Sequence, residues 1–471
     1  MPRIAPRPVA VSAIRRPHSR REGTREESGR GDRAWLGPLL FLFAVKGVLL
    51  AAMVGPFTGH DEVDHFFYVA RLAEGNGLGV VGEVDLPPEA EPFAAYVADY
   101  PTNAEVIHPP LYHALLVPLY AIGSPAGIED RLLLLRLFSV AAGVGVVWLA
   151  ASTARLLFPG DVLFRVGVPL FVAFQPQLSF EAAIVNHDVL LILLVSLVLH
   201  LTLGGLRDGF PARRQWAIGL VGAAGLWTKA SFGLVLPVVG LGLLLVWWDG
   251  GGTWRELIRP IGRALGLPLL LVAPWFLRSW LLYGDPTGAA RLRLIPEYGD
   301  QARSYGEMVS SASFWRQLLE DFWGNFGWRQ VPFDPDGFRA VWVVWLVALA
   351  GILVGAARRG LPSNRGARRP PQWTVFQRRG VGLLALSVAL LCFGVLYVGT
   401  IQFTQARFAF PAMIGFATLT LLGVAGWLPV RARPAALPLL VVLLTGLNVV
   451  VALRYLLPFY YGPGGGAAIL P

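Results

Sequence analysis

The stretch "GPFTGHDEVDHFFYVARL", Gly55 to Leu72, places Asp61, Glu62 and Asp64 with His60 and His65 directly after a long apolar run. A carboxylate within hydrogen-bond reach of a hydroxyl can take its proton as a general base. Asp61 or Glu62 is the candidate for that role. His65 lies three or four residues on, which on a helix is the same face. It can orient the base or, together with Asp61, ligate a divalent ion such as magnesium or manganese. The plain alternative is an acidic first helical turn, favoured by the helix dipole by a few tenths to about 1 kcal/mol per carboxylate. Glu62 and His65 also match one half of a Glu-x-x-His di-metal pattern, but no second copy is present. The His-Glu-x-x-His signature of zinc hydrolases is absent.

Other polar residues stand where apolar runs begin or end. Asn186 and Asp188 sit in "IVNHDVL", where Asn186 is equally a helix cap and a binding group. Lys229 and Lys46 are the only lysines. Lys229 is either a snorkelling anchor or a fixed cation. Arg407, with Gln405 beside it in "IQFTQARFAFP", offers a planar fork suited to an anion. Trp328 in "FWGNFGWRQ" and Tyr112 in "HPPLYHALL" read equally as interfacial aromatics and as walls of a substrate site.

The elements that must position these groups are membrane helices. Hydrophobic residues make up 55% of the 471, charged residues 15%, and mean hydropathy is +0.56. That composition does not form a water-soluble surface at this length. With about 20 apolar residues needed per crossing, about eleven spans emerge: 35–55, 132–157, 162–180, 184–205, 215–228, 230–248, 263–283, 337–357, 380–401, 405–427 and 434–457. The third, fifth and sixth are short or interrupted. The expected fold is therefore all-α and polytopic, with two long outer loops, 56–130 and 284–336, bearing short surface helices. Cys392, the single cysteine, lies inside a span, so no disulfide is expected.

Residues 1–34 are rich in arginine and read as a disordered cytoplasmic tail. The basic loops that follow on the same side agree with an inside N-terminus. The segment 56–130 is acidic and falls outside, as does the tail 458–471. The net charge of +10 thus divides into a basic inner face and an acidic outer face. Arginines spread over membrane-flanking loops, without a recognition motif, argue against a nucleic-acid partner. Richness in Arg, Ala and Gly favours a bacterial inner or plasma membrane.

Five short motifs, in order, carry a resemblance. Asp61, Glu62, His65 and Phe66 form a "DExxH"-like element. Pro109, Pro110, Leu111 and Tyr112 form "PPLY"; Asn186 and Asp188 form "N-x-D". Lys229 follows, then Phe326, Gly327 and Trp328 as "FGW", and Gln405, Arg407, Phe408 and Pro411 as "QxRFxxP". Over most of residues 35–457 the chain resembles the GT-C type of polytopic membrane glycosyltransferases, in an uncharacterised bacterial branch. His187 departs from the pattern, standing where small residues or Pro are common.

The resemblance implies a polyprenyl-phosphate sugar donor and transfer to a glycan, lipid or protein acceptor on the outer face. It implies Asp61 or Glu62 as base, Arg407 and Lys229 at the donor phosphate, and His65, Gln405, Asn186, Asp188, Trp328 and Tyr112 around the substrates. Metal use varies among such enzymes. Two other readings share these residues: a transporter or flippase of lipid-linked saccharides, and a membrane-bound hydrolase. A transporter would place its ionisable groups near the midplane and show internal repeats, whereas here they gather at one rim.

Overall fold

The computed structural model describes residues 21–83, 103–123, 127–295, 299–360 and 373–463, apart from the side chains of 21–33, 359 and 360. Among the described residues the fold is all-α apart from one two-stranded hairpin. Among the described residues, nine helical segments are long and apolar enough to cross a membrane: Ala34–Met53, Ile128–Leu157, His187–Asp208, Ala230–Gly250, Trp254–Tyr283, Pro335–Arg358, Val375–Gly399, Ala406–Trp427 and Val430–Tyr461. The two other expected spans are also helices, but shorter: Val162–Phe174 with 13 residues and Ala212–Thr228 with 17. At 1.5 Å per residue neither reaches the roughly 30 Å of a hydrocarbon core by itself. Large apolar side chains such as Leu281 and Val442 point away from the bundle, as lipid-facing residues must.

The first helix, α1 (Arg21–Met53), begins well before its apolar stretch. Residues 21–34 are therefore helical rather than disordered. Extending an existing helix adds a hydrogen bond per residue without a new nucleation cost. Residues 1–20 lie outside the described residues, as do the "LPPEAEP" stretch and residues 464–471.

The elements that build the site follow in order: α2 (Glu62–Ala73), α3 (Leu111–Ile122), α4 (Ile128–Leu157), α5 (Val162–Phe174), α6 (Pro176–Glu181), α7 (His187–Asp208) and α8 (Ala212–Thr228). In the first long loop, α2 is buried from Glu62 to Ala70. In the second, the short helices Tyr305–Ser310 and Ala312–Trp323 lead into a hairpin that pairs Asn325 with Pro332 and Phe326 with Val331. Gly327 and Arg329 in its turn both have positive φ, 59° and 62°.

Two polar clasps fix the first helix, one buried and one half-buried. Arg136, on α4, donates to the carbonyls of Ala51, Val54 and Gly55 at 2.7–2.9 Å, satisfying acceptors at the end of α1. It also pairs with Glu62 through two bonds, 2.8 and 2.6 Å. Lys46 donates to Ala173 O, Ser179 Oγ and Asn448 Oδ1 at 2.6–3.0 Å, tying α1 to α5, α6 and the last span. Near the other end, a Cβ on Gly423 or Gly426 would strike the backbone carbonyl of Ala348 or Gly351. Small residues are what permits such close helix contact in lipid.

Candidate active site

Asp61 is the N-cap of α2 and adopts a left-handed backbone, φ 54° and ψ 12°. A non-glycine residue held there is strained, and such strain clusters at functional sites. Its Oδ2 accepts from Arg407 Nη2 at 2.6 Å. Arg407 is 3% exposed. It begins the span Ala406–Trp427, and its guanidinium faces three carboxylates: Asp61, Asp188 at 3.5 Å and Glu181 at 3.9 Å. Its Nε donates to Gln405 Oε1. Lys229, at the end of α8, donates to Asp188 Oδ1 at 2.7 Å and lies 4.9 Å above the Phe408 ring.

Helix ends explain why these groups meet. Asn186 caps α7, its Oδ1 accepting from Asp188 N at 2.7 Å, while its Nδ2 reaches His60 O at 3.4 Å. The cap turns Asp188 toward Arg407 and Lys229. Gln175 caps α6 through its bond from Leu178 N. That short helix ends at Glu181, which pairs with His60 Nδ1 at 3.2 Å. Burial alone would raise the Glu181 carboxyl; His60 and Arg407 overcome this and hold it below the usual range.

Asp61, Asp188, Lys229, Arg407 and Gln405, nearly 350 residues apart at the extremes, therefore form one cluster. Three further expected residues stand at its edges. His65 packs deeper in α2, with Nδ1 2.9 Å from His113 Nε2. Burial first, and then His187 and His113, push its pKa well below the ordinary value, so it is neutral. Trp328, in the hairpin turn, lies 6.2 Å from the His60 ring and 6.3 Å from Phe403. Tyr112 is fully buried, its hydroxyl 3.1 Å from Ser139 Oγ and its ring 6.1 Å from His65.

Glu62 faces another way. Its Oε1 accepts from Arg136 Nε and from Val185 N at 2.9 Å, and its Oε2 accepts from Arg136 Nη2. No exposed carboxylate oxygen remains on it. Among the described residues, the side chains close enough together to hold a metal ion are His65, His113 and His187, and Glu105, His108 and His187; Asp61 is in neither group.

Sequence reasoning passed over Glu181, Arg136, Glu105 and the Asp321–Arg329 pair. Arg136 interrupts "LLLLRLF" and Glu181 interrupts "LSFEAA"; an ionisable residue within so apolar a run is itself the signal. Arg329 donates to both Asp321 oxygens, at 3.0 and 2.6 Å, and to Thr404 O at 2.7 Å, fixing the hairpin beside Gln405. A cavity of about 220 Å³ opens there, bordered by Arg303, Arg329, Gln402 and Thr404.

Fold and site together define a multi-pass, all-α membrane protein with a charged cluster at one end of its helices. No protein-family model and no curated protein matches the chain by sequence. Solved structures to which it is similar include the oligosaccharyltransferase AglB of Archaeoglobus fulgidus, in complex with an inhibitory peptide and a dolichol-phosphate. Identity is 13%, over 89% of this chain and 54% of that one, with TM-score 0.46. Another is ArnT of Cupriavidus metallidurans bound to undecaprenyl phosphate, at 15% identity over 90% and 73% of the two chains, TM-score 0.48. The chain spans about half the length of the archaeal enzyme.

Proposed function

We propose that the protein is a glycosyltransferase that moves a sugar from a polyprenyl-phosphate donor to an acceptor hydroxyl at the outer face of the membrane. The observation that carries this reading is the buried Asp61–Arg407 pair, a proton acceptor and an anion-binding fork held 2.6 Å apart where the helices end. The five-motif resemblance in sequence supports the same class.

The chemistry follows from the charges. In the resting cluster Arg407 is shared among Asp61, Asp188 and Glu181. A donor phosphate competes with Asp61 for the guanidinium, whose planar fork fits two phosphate oxygens. Release from Arg407 frees Asp61 Oδ2 to accept a hydrogen bond from the acceptor hydroxyl. The acceptor oxygen then attacks the anomeric carbon and its proton passes to Asp61. The bond from that carbon to the phosphate oxygen breaks, and the electron pair stays on the departing polyprenyl phosphate. That phosphate gains negative charge as the bond breaks, so Arg407 and Lys229 bind the transition state better than the ground state.

In this scheme Glu62 is a positioning residue, since it holds α2 to α4 through Arg136. Gln405 steadies Arg407, Asn186 sets the direction of Asp188, and Trp328 forms an aromatic wall. Tyr112, on α3, packs against His65 of α2. The depth of the cluster suits a lipid-borne headgroup meeting a water-borne acceptor.

The test is transfer itself. The purified protein in lipid is given radiolabelled polyprenyl-phosphate sugars with membrane extract as acceptor, and wild type is compared with Asp61→Asn. Label moving to a new product in the wild type alone is the expected result. Label released as free sugar would instead show a hydrolase, with water as the acceptor. Label crossing the bilayer while still on its lipid would show a transporter.

A further inference from the structure

Four of the seven histidines, His65, His108, His113 and His187, gather with Glu105 beside the charged cluster but outside the proposed transfer chemistry. Glu105 Oε2 lies 3.2 Å from His187 Nδ1, 3.6 Å from His65 Nε2 and 3.8 Å from His108 Nε2. The His187 ring is 4.6 Å from that of His65 and 4.7 Å from that of His108. We propose that Glu105, His108 and His187, whose ligand atoms all lie within 4.8 Å of one another, bind one divalent transition-metal ion, zinc foremost, and that this ion fastens the first outer loop to α7.

Three observations support the site. First, His187 Nδ1 and Glu105 Oε2 stand 3.2 Å apart, both buried and neither with a hydrogen-bond partner among the described residues. Buried polar atoms normally have partners, and each orphan costs about 1–3 kcal/mol. Donor atoms that approach one another without bonding are aimed at a shared point. Second, the spacing fits an ion. Zinc bonds of about 2.0–2.2 Å to nitrogen and oxygen put neighbouring tetrahedral ligands roughly 3.3–3.6 Å apart, close to the separations around Glu105.

Third, the surroundings prepare the ligands. A neutral imidazole has one donor and one acceptor nitrogen. With His187 Nδ1 toward Glu105, its other ring nitrogen, Nε2, stands 3.4 Å from the Asp188 carboxylate. A carboxylate at the second ring nitrogen is how many ligating histidines are oriented. Glu105 is set in turn by Asn103, whose Oδ1 accepts from Glu105 N at 3.0 Å while its Nδ2 donates to Asp64 O at 2.8 Å. Asn103 thereby joins the loop to α2.

The donor set also selects the ion. Two imidazoles and one carboxylate suit zinc, and after it copper, iron or nickel, whereas magnesium and manganese prefer oxygen. This differs from the magnesium or manganese expected from Asp61 and His65, because Asp61 is committed to Arg407. The ion would sit one residue from Asp188, since His187 Nε2 is 3.4 Å from Asp188 Oδ1. It would lock residues 103–108 against the mouth of the cluster.

The proposal does not depend on the sugar-transfer reading, and its test does not use activity. The full chain, carrying an affinity tag without histidines, is purified in detergent, dialysed against metal-free buffer and analysed for bound metals. Cobalt is then exchanged in and the visible spectrum recorded. We expect about one zinc per chain and the d–d bands of a tetrahedral cobalt centre. His187→Ala and Glu105→Gln should each weaken zinc binding at least tenfold, and Asp61→Asn should leave it unchanged. If His187→Ala does not fold, His108→Gln, at the solvent edge of the group, provides the same comparison. Wild type that binds no stoichiometric zinc, or folded Glu105→Gln and His108→Gln variants that bind it as well as wild type, would overturn the site.

Discussion

Arg407 Nη2 meets Asp61 Oδ2 at 2.6 Å although 346 residues separate them in sequence. The bond joins the loop after the first span to the start of the span Ala406–Trp427. It gives the charged cluster a fixed centre from which the effects of individual substitutions can be argued.

Asp61→Asn removes the proton acceptor while keeping the side chain's shape. Asparagine also tolerates the left-handed backbone at this position, which alanine does not. Transfer should fall by about 10²–10⁴-fold, the usual worth of a general base. The melting temperature in detergent should change little, because Arg407 keeps Asp188 and Glu181 as partners. Full activity in this variant would remove Asp61 from the chemistry.

Glu62→Gln should act on stability instead. It leaves Arg136 charged and buried, and breaking a buried pair costs about 3–5 kcal/mol. Thermal melting should show a large drop, whereas the Michaelis constant for donor should stay near that of wild type in whatever protein remains folded. The double variant Glu62→Gln/Arg136→Met should recover little, because Arg136 also holds three carbonyls at the end of α1. A stable Glu62→Gln protein with no activity would reverse this assignment.

Much of the architecture was legible before any coordinates, because long apolar runs report membrane helices directly. Val162–Phe174 and Ala212–Thr228 were harder to read: each ends at a polar turn built for the site, Gln175 for the first and Lys229 for the second. Within the site, Asp61, Asp188, Lys229 and Arg407 were legible as separate residues because charges are rare next to apolar runs. Their pairing was not, since local spacing says nothing about which helix ends meet. Glu62 shows the limit most clearly. In sequence it is equivalent to its neighbour, yet Asp61 is the left-handed N-cap and Glu62 the first helical residue, and that change of backbone turns Glu62 from the cluster to Arg136. The histidine group has the same origin: His65, Glu105, His108 and His187 come from three separate elements.

Arg407→Lys and Arg407→Ala separate charge from geometry. Lysine keeps the cation but loses the fork that can hold two phosphate oxygens at once. The lysine variant should keep partial activity with a raised Michaelis constant for donor. The alanine variant should lose about 10²–10³-fold in turnover, as when one group stabilising transition-state charge is removed. Steady-state kinetics with varied donor distinguishes the two. Equal loss in both, with unchanged donor affinity, would mean that Arg407 only holds Asp61 and Asp188 in place.

Trp328→Ala tests whether the hairpin touches substrate. Its backbone is held independently of the indole: Arg329 bonds Asp321 and Thr404, and the strands pair at Asn325 and Phe326. Removing the ring should therefore leave the hairpin in place, with proteolysis and melting like wild type. What is lost is an apolar face between His60 and Phe403. If the face packs on a sugar ring or the first isoprene unit, the Michaelis constant for donor should rise by about 5–30-fold, the equivalent of 1–2 kcal/mol, and Trp328→Phe should restore most of it. An unchanged constant in Trp328→Ala, with the hairpin intact, would confine the indole to the membrane interface.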